Sequence, residues 1–168
     1  TSQGMRFDGV DDKLVATDPL LALGTGDFTI EAIISTTQTP AGAALFLSLG
    51  ESFGVATGIN FNLLPNGTID AGLSATGATP ATPVVNDGTP HHLALTFDGT
   101  TDTYELFIDG TSVGTYVNGT GNIILGQLTM GSGNLGENPF DGLLDDVRVY
   151  NDVRSDAEIA ADAVGTLD

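Results

Sequence analysis

Phe140-Asp141-Gly142-Leu143-Leu144-Asp145-Asp146-Val147-Arg148-Val149-Tyr150, near the end of this 168-residue chain, sets acids beside a run of strand-like residues. Phe7-Asp8-Gly9-Val10-Asp11-Asp12 does the same near its start. If the two runs pair, the first and last strands close a single domain over residues 1–168, and their acids are expected to meet. Within Leu143 to Tyr150, period-two alternation puts Leu143, Asp145, Val147 and Val149 on one face and Leu144, Asp146, Arg148 and Tyr150 on the other. One carboxylate thus shares the valines' side and is expected to be at least partly buried, which is costly without a partner. Three partners answer that need: a cation shared with Asp8, Asp11 or Asp12, the Arg6 guanidinium on the neighbouring strand, or backbone N–H groups at a turn. Converging carboxylates repel unless a cation sits among them, and hard oxygen ligands suit calcium. The expected calcium set is Asp8, Gly9 through its carbonyl, Asp11, Asp12, Asp145 and Asp146, with water completing the shell.

Outward from these two ends, alternation recurs between turn dipeptides. Asp27 to Ser35 places Phe28, Ile30, Ala32 and Ile34 on one face, with Glu31 opposite and expected to be solvated. Pro65-Asn66-Gly67 separates two runs as a hairpin turn requiring positive φ. Asp98-Gly99 and Asp109-Gly110 punctuate three further strands over His91 to Val117. Asp-Gly occurs five times, each at an expected strand end. Ten or eleven short strands at this spacing mean a β-sandwich or jelly roll. Ser155-Asp156-Ala157-Glu158 is a capping box that predicts one or two helical turns ending before Gly165.

Charge excludes several partners. Twenty-two acids against four bases give a net of −18, a surface that repels nucleic acid and anionic membranes. Such self-repulsion favours a saline or calcium-rich exterior. There is no cysteine, and the apolar runs are too short to span a bilayer. No charged-then-apolar leader opens the sequence, so either a leader has been removed or this is a piece of a longer chain.

Phe7 to Asp12, Asp27-Phe28-Thr29-Ile30-Glu31-Ala32, His91 to Gly99, Leu106 to Gly110, Phe140 to Asn151 and Ser155 to Ile159 occur in that order. This succession resembles the laminin-G-like, concanavalin A-like jelly-roll domains of large secreted bacterial proteins. The resemblance implies an all-β jelly-roll sandwich of two antiparallel sheets with one short C-terminal helix, and often a calcium ion at the sandwich edge. The chain departs from the family at Ile33 and Pro90, where tryptophan is usual.

Hydrolases of this fold carry Glu-x-Asp-x-x-Glu on one strand. Here Glu31, Glu51, Glu105, Glu137 and Glu158 are isolated, and serine-nucleophile and H-E-x-x-H motifs are absent. His91 and His92 alternate faces of a strand and do not chelate one ion together. The glycine-rich loop 131–139 brings Asn134, Glu137 and Asn138 to a strand end as candidate ligand-binding residues. Two sequons, at Asn66 and Asn118, read as turns. The expectation is a non-catalytic, calcium-stabilised extracellular module, monomeric in isolation, that binds a glycan or a cell-surface or matrix protein on its open sheet and loop rim. The other readings are an accessory carbohydrate-binding module of a polysaccharide-degrading enzyme and a structural spacer.

Overall fold

The computed structural model describes residues 4–51, 57–73, 79–117, 119, 121–133 and 135–166. In chain order the strands are β1 (Met5–Asp8), β2 (Leu14–Thr17), β3 (Phe28–Ser35), β4 (Ala44–Gly50), β5 (Gly58–Leu63), β6 (Ile69–Leu73), β7 (His91–Asp98), β8 (Thr103–Ile108), β9 (Thr111–Val117), β10 (Gln127–Met130) and β11 (Asp141–Tyr150), followed by helix α1 (Asp156–Thr166). They form a six-stranded sheet, β1-β11-β3-β7-β8-β9, and a five-stranded sheet, β2-β10-β4-β5-β6. Every pairing is antiparallel. This is the jelly-roll sandwich that the alternation and the resemblance predict.

One core fills the space between the sheets. Phe28, Ile30, Ala32 and Ile34 of β3 meet Phe46, Leu47 and Leu49 of β4 and Phe61 and Leu63 of β5 there. Without tryptophan, the large volumes come from phenylalanine and tyrosine. Tyr104 stacks on Tyr116 with ring centroids 5.5 Å apart and also packs on Phe97 at 4.5 Å. The hairpin turn at Pro65-Asn66-Gly67 forms as predicted, with Gly67 at φ +80. A Cβ there would also lie 2.1 Å from Asn86 Oδ1, so both conformation and space require glycine.

The terminal strands do pair, with Met5 opposite Leu144 and Asp8 opposite Asp141. The faces of β11 differ from simple alternation. A bulge lies between Asp145 and Arg148, where the register to β3 shifts, and Asp146 takes φ +49. The extra residue reverses the sides beyond it. Leu144 and, past the bulge, Val147 and Val149 therefore face the same core, while Leu143 is 39% exposed.

Helix α1 is longer than the capping box alone predicts, running through Gly165 to Thr166. The box itself forms: the Ser155 N–H donates to Glu158 Oε2 at 2.9 Å, and the Glu158 N–H donates back to Ser155 Oγ at 3.4 Å. Burial accompanies the extra length, since Ala163 in the added turns is only 3% exposed, close against Gly110. Ile159 packs against Ala94 and Phe107 on the outer face of the six-stranded sheet. That cover corrects the expectation for Glu31, which is only 1% exposed on this same outer face.

Candidate functional site

The outer face of the five-stranded sheet is polar, and the alternation of β5 shows why. In Ile59-Asn60-Phe61-Asn62-Leu63, the three apolar residues enter the core, so the two asparagines turn outward. The same argument turns Ser48 outward between Leu47 and Leu49, and Thr129 outward between Leu128 and Met130. Register then aligns them across four strands: Thr129 opposite Ser48, Ser48 opposite Asn60, and Asn60 opposite Gly72. Asn62 continues the patch towards Asp70.

These side chains are deeply placed, with Ser48 and Thr129 at 0%, Asn60 at 2% and Asn62 at 9% exposure. Ser48 Oγ, both amide atoms of Asn60 and Asn62 Oδ1 have no hydrogen-bond partner among the described residues. Each unpaired buried polar atom costs about 1–3 kcal/mol. Four of the nine buried polar atoms without a partner among the described residues lie on this one patch, which marks it as the candidate site. At the edge of β6, Asp70, Asn66, Thr68, Thr79 and Thr82 line a recess of about 360 Å³. Thr79 donates its hydroxyl to Asp70, and Thr82 Oγ1 accepts from the Ile69 N–H at 2.8 Å, so segment 79–82 seals that edge. Every described phenylalanine is buried, as are Tyr104 and Tyr116, so none of these rings offers the patch an exposed aromatic platform.

The acid turn between β1 and β2 is separate. Asp8, Asp11 and Asp12 each bring a carboxylate oxygen within 4.8 Å of the others, all three exposed. Asp8 Oδ1 accepts from the Val10 N–H at 2.9 Å, and Asp12 Oδ2 accepts from the Asp8 N–H at 3.0 Å. Gly9, at φ +73, lies so close to Asp141 that a Cβ would meet its Cβ at 2.9 Å. Carboxylate oxygens are the donor type calcium takes, and three of them would leave the rest of its about six to eight positions to carbonyls and water.

Of the expected six-residue set, Asp145 and Asp146 lie apart from that cluster. Asp8 faces Asp141, and Asp145 lies roughly 13 Å further along β11 at about 3.3 Å per residue. Asp145 Oδ1 accepts from the Asp146 N–H at 2.8 Å across the bulge. Asp146 takes the Arg148 guanidinium through two hydrogen bonds, one of them at 2.9 Å from Nε. Of the three partners open to this pair, a salt bridge and a turn N–H are the ones found, and the arginine is Arg148. Arg6 pairs with Asp141 instead, at 3.2 Å.

Beneath α1 lies a buried ionic group that alternation alone did not reveal. Glu31 is 3.4 Å from Arg154 Nε, 3.8 Å from Arg148 Nη1 and 3.4 Å from His92 Nε2. Asp162 of α1 pairs with Arg154 at 2.7 Å and with Arg148 at 3.4 Å. Burial is the strongest single influence on the Arg148 charge and works against it, but hydrogen bonding and charge attraction to Asp146 and Tyr150 together outweigh it and raise its pKa. Arg154 also sits over the Tyr150 ring at 4.4 Å. His91 is the surface member of the histidine pair, at 2.9 Å from Asp109 and 3.2 Å from Asp87. Glu31, Arg148, Arg154 and Asp162 thus form one ionic group that fastens the helix, although Glu31 Oε1, Arg154 Nε and His92 Nδ1 lack hydrogen bonds among the described residues.

Of the loop residues, Asn134 lies outside the described residues. Glu137 Oε2 accepts from the Leu135 N–H at 2.8 Å, which ties the loop to itself. Asn138 takes φ +54, and its carbonyl accepts from the Leu45 N–H at 2.8 Å. The loop thus borders the end of β4 near the polar patch.

Residues 8–160 match the family model described as concanavalin A-like lectin/glucanases superfamily. The chain belongs to that superfamily. No curated protein matches it. Among solved structures, the CBM40 of the Ruminococcus gnavus IT-sialidase aligns over 96% of this chain and 97% of its own, with a TM-score of 0.73 at 20% identity. That module is also known bound to α2,3 sialyllactose. The native heptameric SAP-like pentraxin of Limulus polyphemus aligns over 94% of this chain and 80% of its own, with a TM-score of 0.73 at 15% identity. Trypanosoma rangeli sialidase aligns over 98% of this chain but 28% of its own, with a TM-score of 0.73 at 18% identity. At these identities the likeness shows the shared fold. Within the superfamily fold of this chain, the polar row stands out because the Asn60 amide, Asn62 Oδ1 and Ser48 Oγ are buried yet unpaired. Among the described residues, no helix is long and apolar enough to cross a membrane.

Proposed function

We propose that this chain is a non-catalytic, lectin-like carbohydrate-binding module that takes a glycan on the outer face of its five-stranded sheet. The observation that carries the proposal is the row of Ser48, Asn60 and Asn62, whose unpaired donors and acceptors match the hydroxyl groups of a sugar. Superfamily membership and the CBM40 known with sialyllactose support it. Hydrolysis needs two carboxylates about a substrate. On this face Asp70 shares its row with Asn62 and Leu45, so a second acid is not placed across from it. The match to one part of a longer sialidase chain favours an accessory module of a polysaccharide-degrading enzyme over a free-standing lectin. The charge of −18 favours work outside the cell, with calcium held at Asp8, Asp11 and Asp12 as a stabiliser of the β1–β2 turn.

The test is glycan binding by the intact chain and by Asn60→Ala and Asn62→Ala. Each variant is expected to weaken any glycan hit at least tenfold while the melting temperature stays within a few degrees. Unchanged binding in both variants sinks the assignment of this face.

A further inference from the structure

The distribution of the four bases, taken with the imbalance of unpaired donors and acceptors, bears on which class of glycan the polar row accepts. Arg148 and Arg154 lie under α1 on the other sheet, both turned on Glu31 and Asp162. Arg6 is on β1, in that same other sheet, and pairs with Asp141. Lys13 stands just before the edge strand β2, beside Asp11 and Asp12, two strands away from Ser48. At about 4.8 Å per strand, that separates its backbone from Ser48 by on the order of 10 Å or more. None of the chain's cations is therefore placed at the row formed by Ser48, Asn60 and Asn62.

The unpaired atoms point the same way. Asn60 Oδ1 and Asn62 Oδ1 are acceptors only, and Ser48 Oγ can do either. Among the buried unpaired atoms of the row, Asn60 Nδ2 is the one that can only donate. Asp70, on the same face, adds a carboxylate. A carboxylated or sulfated sugar brings acceptors to a face that already has a surplus of them. Its charge would normally be met by an arginine fork or an ammonium, and it must approach a chain of net charge −18. Sugar hydroxyls, by contrast, donate as well as accept.

We infer that this site selects uncharged, hydroxyl-rich glycan segments and discriminates against carboxylated or sulfated ones, unlike the sialyllactose-bound CBM40 that shares its fold. The inference rests on the glycan-binding reading above. The experiment is a glycan array in which neutral oligosaccharides are printed beside their sialylated, uronic-acid and sulfated counterparts. The intact chain is applied at 0.15 M salt with calcium, then with chelator. Neutral glycans are expected to be retained at least tenfold more strongly than their acidic counterparts in both conditions. Equal or stronger retention of any acidic counterpart, with or without calcium, overturns the inference but leaves the carbohydrate-binding reading standing. Retention of no glycan at all overturns that reading, and the inference with it.

Discussion

Removing the Glu31 carboxylate, itself only 1% exposed, leaves the partly exposed Arg148 and Arg154 without the acid between them. Both arginines lie within 4 Å of that one group. Breaking a buried pair by deleting one partner is costly, because the remaining charge is stranded. Glu31→Ala is therefore expected to lower unfolding free energy by about 3 kcal/mol, read from denaturant midpoints at constant slope. Asp162 and Asp146 still hold the two guanidinium groups, so the loss should stop short of complete unfolding. A change below about 1 kcal/mol would mean that the group behaves as a solvated surface network. The role of Glu31 was hidden in the sequence for a physical reason. Alternation assigns a residue to the side away from the core, but says nothing about what then covers that side.

At the level of elements, α1 is fastened by one apolar plug and several charges. Ile159→Ala is expected to cost about 2–4 kcal/mol, since it empties the contact with Ala94 and Phe107; a loss under 1 kcal/mol in thermal or chemical unfolding would show that the helix is held by its ion pairs alone. The β1–β2 turn makes a separate prediction. If calcium binds there, the melting temperature rises in millimolar calcium and falls back in chelator. Asp12→Asn should abolish that rise and Asp146→Asn should preserve it, because Asp146 is engaged with Arg148. The reverse pattern would return the site to β11. Much of this was legible beforehand: the pairing of terminal strands, the core side of β3, the Gly67 turn and the capping box all follow from local patterns. The bulge at Asp146 was not, since one inserted residue reverses every later side chain without altering composition. Nor was the polar row, which needs the register of β4, β5, β6 and β10. Its one local signal was the pair of asparagines alternating with Ile59, Phe61 and Leu63, because asparagine is disfavoured in strands.

For the whole molecule, acid is expected to act in two opposite directions. A net charge of −18 repels itself at neutral pH, and partial protonation relieves the repulsion. Against this, hydrogen bonds from the Thr89 hydroxyl and backbone N–H hold Asp87 down from 3.8 to about 2, with His91 adding to them. Asp98 is lowered by the Thr100 N–H, and Glu158 by the Ser155 N–H. A carboxylate with a depressed folded pKa contributes its full stability above the unfolded value of 3.8, and loses it as pH falls through the folded value. At low salt the melting temperature should therefore rise as pH drops from 7 to about 5 and fall again below about 4, where these depressed groups protonate. At 1 M salt the Debye length shrinks to about 3 Å, so the rise should vanish. The acid fall should persist, because it comes from hydrogen bonds at contact distance, and Asp87→Asn should make it shallower. Melting curves across pH 2.5–7 at both salt concentrations check all of this. A melting temperature that declines steadily from pH 7 at low salt would show that self-repulsion does not limit the stability of this fold.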